Sequence, residues 1–191
     1  MIKCKYKHRK GNTMHDHAIA AKRIKEELKR LGIKSTVSSK SYSGGNSVRV
    51  EVNNLHPKDF ETIKTMFAKY EYGHFDGMDD SYKFSNVIKD FPQTKYLFIN
   101  NHWSDEICQK AYDEIRNHYA GFENAPEKYD DAVNFVWENG KCYAQQFVYR
   151  QLYGDAEFCE KIGIKPILTQ VTVWYDGGKS ADVFNQNIKE A

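Results

Sequence analysis

Apolar and polar positions along this chain follow two periods, and the switches between them predict its elements. At the start, Ile2, Cys4 and Tyr6 face one way and Lys3, Lys5 and Lys7 the other, the period-two pattern of a half-buried or edge strand. Gly11-Asn12 breaks that pattern. From about Asp16 to Leu31 the apolar residues Ile19, Ala20, Ile24, Leu28 and Leu31 recur at helical spacing, with Asp16 placed to cap the start and Gly32 to follow the end. Lys34 to Tyr42 and Ser47 to Val52, joined by Ser43-Gly44-Gly45-Asn46, predict a β-hairpin in which Val48, Val50 and Val52 alternate with Arg49 and Glu51. Pro57 sits at the first turn of a second helix with Phe60, Ile63, Met66, Phe67 and Tyr70 on one face. An irregular acidic stretch, Glu71 to Asp80, follows, and Tyr96-Leu97-Phe98-Ile99 reads as a further strand. This order predicts an α+β fold: an N-terminal antiparallel sheet with two helices on one face, for which a ferredoxin-like arrangement is one candidate.

The second half changes character. Ser104-Asp105-Glu106-Ile107, close to a capping pattern, opens a helix that runs through Ile107, Ala111 and Ile115 to about Tyr119. Tyr129 to Trp137 and Cys142 to Tyr153 read as helices, Ile167 to Tyr175 as a strand rich in Val and Thr, and the tail from Asp176 as a turn and short helix. A mostly helical second half with one late strand is therefore expected. A soft boundary divides 1–100, a basic α+β module, from 101–191, an acidic, aromatic-rich, mainly helical region, and one continuous fold also fits.

Charge sharpens this division. Of the 191 residues, the first 50 hold 13 Lys/Arg against 3 Asp/Glu, a surplus of ten, while the remainder hold 15 against 23. The formal net charge of +2 is a cancellation between a basic head and an acidic body. The head's cations are Lys3, Lys5, Lys7, Arg9, Lys10, Lys22, Arg23, Lys25, Lys29, Arg30, Lys34, Lys40 and Arg49. If the first strand and the first helix lie together, their lysines combine into one positive surface suited to a phosphate backbone or an acidic partner. The ordinary alternative is a solvated helix face. Head and body are also complementary, which makes self-association an expectation. No apolar run approaches the roughly 18–20 residues of a membrane span, and the N-terminus lacks a secretory apolar stretch, so a cytoplasmic protein with no membrane partner is expected. Cys4, Cys108, Cys142 and Cys159 form no C-x-x-C and read as free thiols.

Several constellations carry possible chemistry. Gly44-Gly45 between Ser43 and Asn46 could offer backbone N–H groups to a phosphate, but it joins two strands rather than opening a helix, so a hairpin turn is the better reading. His15 and His17, with His74, Asp76, Asp79 and Asp80, would make a zinc or hard-cation cluster if they converged, and Mg²⁺ held there would serve a small nuclease or hydrolase. Each of these residues has a simpler use as a cap or turn residue. Cys142 or Cys159 with His102 or His118 as a nucleophile pair requires a spatial meeting that spacing does not establish. No catalytic residue, metal or cofactor is therefore assigned.

The stretch from about His17 to Asp90 resembles the large polyvalent protein-associated domains of phages, plasmids and conjugative elements. The resemblance is carried by the basic helix Ala20-Ala21-Lys22-Arg23-Ile24-Lys25-Glu26-Glu27-Leu28, by Tyr42-Ser43-Gly44-Gly45-Asn46-Ser47-Val48-Arg49-Val50, and by Phe75-Asp76-Gly77-Met78-Asp79-Asp80. The chain departs from that pattern after the second strand, where Asn53-Asn54-Leu55-His56 stands in place of a short acidic turn. The resemblance implies a mobile-element accessory protein and brings no activity or catalytic residues with it. Together with the charge split it leads to the expectation of a non-enzymatic binding protein engaging a nucleic acid or a host nucleoprotein, such as an anti-CRISPR or anti-restriction protein. A small metal-dependent nuclease is the alternative.

Overall fold

A computed structural model describes residues 15–137, 142–175 and 178–185. The elements are α1 (Asp16–Arg30), β1 (Ser35–Tyr42), β2 (Gly45–Asn53), α2 (Pro57–Phe67) with one 3₁₀ turn after it (Ala68–Tyr70), β3 (His74–Asp76), β4 (Ser81–Lys83), β5 (Tyr96–His102), α3 (Asp105–His118), α4 (Tyr129–Ala132), β6 (Val136–Trp137), β7 (Cys142–Tyr143), α5 (Ala144–Gly154), α6 (Ala156–Lys161), β8 (Leu168–Tyr175) and β9 (Gly178–Asn185). The α+β class and the mostly helical second half are as expected. The first predicted strand, with Cys4, lies outside the described residues.

The basic helix forms because Ala20, Ala21, Ile24 and Leu28 make a continuous buried stripe. It ends in paired bonds from Gly32 N–H to Lys29 O and from Ile33 N–H to Leu28 O, which satisfy two terminal carbonyls and turn Ile33 back onto the core. Asp16 lies in the first turn rather than at the cap position, which His15 occupies. The predicted hairpin is two residues tighter than the sequence suggests: Tyr42 faces Gly45, leaving Ser43-Gly44 as the turn. Gly44 has φ +91°, a left-handed conformation required at the second position of such a turn. In β2 the three valines are fully buried while Arg49 is exposed, so the sheet has one sealed face and one open face.

The third strand arrives differently from the expected antiparallel pattern. β5 pairs with β2 in parallel, Ser47 facing Tyr96, Arg49 facing Phe98 and Glu51 facing Asn100. The sheet order is β1-β2-β5, and the crossover runs through α2 and the β3–β4 hairpin. A ferredoxin-like sheet places another strand between those flanking its second helix, so their direct pairing excludes that arrangement here. α1 and α2 contribute Ile24, Leu28, Ile63 and Phe67 to one core with Val48, Val50 and Val52. A second core gathers Tyr112, Ile115, Phe122, Phe147, Val148 and Leu152 from α3, α5 and the segment between α3 and α4.

Two buried polar side chains at the start of α2 anchor later parts of the chain: His56 reaches α6 of the second core, and Asp59 holds the start of β8 against the first. His56 Nδ1 accepts from Lys58 N–H at 3.2 Å, so the opposite nitrogen carries the hydrogen and donates to the Ala156 carbonyl at 3.2 Å. Asp59, 1% exposed, accepts the backbone N–H groups of Ile167 at 2.8 Å and Leu168 at 2.9 Å. Burial pushes its carboxyl above the usual range, and the two backbone bonds oppose that shift.

Two elements of the second half differ from expectation. The helix predicted over 129–137 stops at Ala132, because Val136-Trp137 pairs with Cys142-Tyr143 and Trp137 Nε1 donates to Ala120 O at 2.7 Å. Within the tail Gly178–Asn185 form strand β9, antiparallel to β8, where no strand is expected; β8 alone would leave a row of backbone donors and acceptors unpaired, and the returning chain supplies their partners.

Asp59→Ala strips the acceptor from two backbone N–H groups. The expected loss is about 2–4 kcal/mol of unfolding free energy, read from the urea midpoint. Hydrogen-exchange protection at Ile167 and Leu168 should fall with it. Unchanged protection at those two amides would show that Asp59 does not anchor β8.

Candidate nucleic-acid interface

Seven of the cations assigned from sequence lie on two opposite surfaces. Lys22, Arg23, Lys25, Lys29 and Arg30 are exposed on the outer side of α1, whose inner side covers the buried valines of the sheet. Lys40 and Arg49 point from the open face of the same sheet, away from α1. Strand alternation sets this second group apart: Arg49 lies between Val48 and Val50, which α1 covers, so it points to the other side of the sheet, while the expected meeting of the first strand with α1 falls outside the described residues. Lys3, Lys5, Lys7, Arg9 and Lys10 lie outside the described residues.

On α1 the charges are partly matched. Lys22 lies 4.0 Å from Glu26 and Arg30 3.0 Å from Glu27, both exposed pairs of small energetic value. The Arg23 guanidinium lies 5.7 Å from the Phe91 ring centroid. Among the described residues Lys25, Lys29, Lys34 and Lys40 form no ion pair.

The open sheet face carries more than charge. Phe98 is 43% exposed, and the Arg49 guanidinium beside it in register is 5.5 Å from its centroid. Tyr96 stacks on Phe98 at 6.2 Å with the ring planes 14° apart. Tyr82, arriving from β4, meets Tyr96 edge-on at 5.4 Å, and the Lys95 ammonium lies 5.0 Å from the Tyr82 ring and 5.4 Å from that of Tyr96. The row continues through Phe84, 5.3 Å from Tyr82, to Tyr72, stacked on Phe84 at 5.7 Å and 6°. The Tyr82 hydroxyl donates to the Lys95 carbonyl; burial first, and then the Glu71 carboxylate, raises its pKa well above the ordinary phenol value. Tyr82 is therefore a fixed neutral donor across the physiological range.

The other end of the open face is polar. His102 Nε2 lies 2.5 Å from Glu51 Oε2, and Asn100 donates to Glu51 Oε1 at 3.1 Å. Burial disfavours the Glu51 carboxylate, but His102, Asn100 and Arg49 outweigh that and hold its pKa below the usual range.

Three residues of the metal alternative, His74, Asp76 and Asp79, are engaged by neighbours. Asp76 Oδ1 accepts Met78 N–H at 3.0 Å, Lys83 reaches Asp79 at 2.6 Å and Asp76 at 4.0 Å, and His74 bonds the Ser85 hydroxyl at 3.1 Å. Among the described residues no three His, Cys, Asp or Glu side chains are grouped to hold a metal ion. Cys108, Cys142 and Cys159 are free thiols, and burial pushes Cys159 and Cys108 up to about 11, which suppresses their thiolates. Among the described residues no helix is long and apolar enough to cross a membrane.

His15 and His17 stack on each other at 5.6 Å and 15°, and they line a cleft of about 350 Å³ together with Asn46, Tyr72, Phe84 and Gln93. The cleft thus adjoins the Tyr72 end of the aromatic row.

Tyr82, Phe84, Lys95, Tyr96 and Phe98 were not singled out as site residues from the sequence. The available signal was the alternation Tyr96-Leu97-Phe98-Ile99, which puts both rings on one face, but only the pairing with β2 shows that this face is open. Comparison with protein-family models, curated proteins and solved structures finds no match to the chain.

His17 supplies a pH test of this corner. Burial, then the adjacent His15, lowers its pKa, and Asp16 only partly opposes them. Above the ordinary imidazole value of about 6.5 both folded and unfolded forms are neutral there. Below it the unfolded chain takes up a proton that the folded chain resists, so His17 costs stability as pH falls through that value. Melting temperatures of wild type and His17→Phe between pH 7.5 and 5 should show a smaller acid loss in the variant. Parallel curves would contradict this placement of His17.

Proposed function

We propose that the protein is a non-enzymatic binding protein of a phage or other mobile element that engages a nucleic acid or a host nucleoprotein. Antagonism of a host defence system, of the anti-CRISPR or anti-restriction kind, is the role that suits this reading, with action in the cytoplasm. The observation that carries the binding reading is the open sheet face, where Lys40, Arg49 and Lys95 stand among rings left in contact with water. Leaving Phe98 part-exposed forgoes part of the roughly 1.5–3 kcal/mol that burying such a side chain provides, and it keeps a flat apolar face available beside cations. The basic head as a whole adds a positive field that draws polyanions toward either surface. The mobile-element setting rests on the resemblance of 17–90 to polyvalent protein-associated domains. A metal-dependent nuclease built on the His and Asp residues is not favoured, because Asp76 serves as a turn acceptor, Lys83 lies against Asp76 and Asp79, and no three such side chains are grouped among the described residues.

A gel-shift series with labelled DNA and RNA at increasing salt tests the reading. Binding should weaken steeply with salt, and each lost phosphate contact should reduce the log–log slope by about 0.7–0.9. Arg49→Glu and the triple change Lys22→Glu/Lys25→Glu/Lys29→Glu should each weaken binding. Binding that survives both reversals intact would overturn the nucleic-acid reading.

A further inference from the structure

We propose that the aromatic row, which runs from Phe98 and Tyr96 on the open sheet face through Tyr82 to Phe84 and Tyr72 at the cleft beside the start of α1, is a stacking platform for single-stranded nucleic acid, one that takes unpaired bases on Phe98 and Phe84 and excludes duplex. The inference rests on the nucleic-acid reading above and specifies its ligand. Five rings, Phe98, Tyr96, Tyr82, Phe84 and Tyr72, follow one another with centroids 5.3–6.2 Å apart. That spacing exceeds the rise of about 3.4 Å per nucleotide in a duplex strand, so it suits bases splayed onto separate rings rather than a helical stack.

The two most exposed rings of the row are its working faces. Phe84 is 69% exposed and Phe98 is 43% exposed, whereas Tyr82 and Tyr96 are half-buried between them and hold them in place. Gly73 allows the Tyr72 end to form: a Cβ there would lie 2.0 Å from the Lys83 carbonyl oxygen, so only glycine lets the chain pass β4 and set Tyr72 against Phe84.

The cations choose the occupant. Arg49 and Lys95 lie 5.0–5.5 Å from the ring centroids of Phe98, Tyr82 and Tyr96, and Lys40 is exposed on the same face. Apolar rings interleaved with cations match a ligand that alternates flat π-faces with phosphates. An apolar protein partner would find those cations costly to desolvate. A duplex hides its base faces and would meet the cations alone. The adjoining cleft of about 350 Å³, with Tyr72 and Phe84 on one side and the His15–His17 pair among its other lining residues, is large enough for a base displaced from the strand's end.

Fluorescence anisotropy of the full chain with labelled 12-nucleotide oligothymidylate, oligouridylate and a 12-base-pair DNA duplex tests the inference. Both single strands should bind at least about tenfold tighter than the duplex, and Phe98→Ala and Phe84→Ala should each weaken single-strand binding by roughly 5–100-fold. Phe98→Trp should retain it, and circular dichroism should report an unchanged fold in every variant. Duplex bound as tightly as single strands, with both alanine variants at wild-type affinity and loss only on charge reversal, would overturn the stacking inference and leave the nucleic-acid reading standing. No binding of any oligonucleotide at low salt would overturn both.

Discussion

The register of β5 on β2 decides what the open sheet face displays. Side chains alternate along a strand, so a slip of one residue would bury Tyr96 and Phe98 and expose Leu97 and Ile99. Two asparagines pin that register from opposite ends. At one end Asn46 Oδ1 accepts both the Lys95 N–H at 2.8 Å and the Thr94 hydroxyl at 2.9 Å. At the other end Asn101, 3% exposed, closes a reciprocal pair with Leu55, taking its N–H at 3.0 Å and giving to its carbonyl at 2.8 Å. Leaving the buried Asn101 amide unpaired costs about 1–3 kcal/mol, and a slip would also break the two bonds to the half-buried Asn46, so a slipped strand is disfavoured at both ends at once.

The same economy of buried polar groups ties the two cores together. α2 gives its apolar side to the sheet core, while His56 at its start reaches the Ala156 carbonyl of α6 in the second core, and Asp59 holds the N–H groups of Ile167 and Leu168 within the first. Asn54 and Ser104 exchange two more bonds beside them, and the Tyr153 hydroxyl of α5 donates to Asn101 O at 2.5 Å. Asn101 therefore takes part in both systems: its side chain fixes the register and its carbonyl receives a helix of the second core. In this arrangement the helical half meets α2 and the Asn101 end of β5, while α1 and α2 cover the rear of the sheet.

Much of this fold is legible in the sequence, and the limits are physical. The stripe Ala20, Ile24, Leu28 and the alternation Val48, Val50, Val52 state their own burial, because periodicity is a local property. Parallel pairing is not local. Nothing between Asn53 and Tyr96 announces that the chain crosses back beside β2, so the sequence points to the basic residues of the site and passes over its aromatic ones. Charge counting likewise groups Lys22 with Arg49 by nearness in sequence, whereas alternation sets them on opposite sides of one sheet. The short β6–β7 pair and β9 are hidden for a related reason, since a strand needing a partner can override a weak helical pattern.

The most direct test is an amide chemical-shift map of the isotope-labelled full chain titrated with oligothymidylate. A stacking platform on β2 and β5 requires the largest shifts at Ser47–Glu51, Lys95–Asn100 and Phe84, with α3, α5 and α6 unmoved. Shifts confined to 105–161, or none on β5 at saturating oligonucleotide, would contradict it.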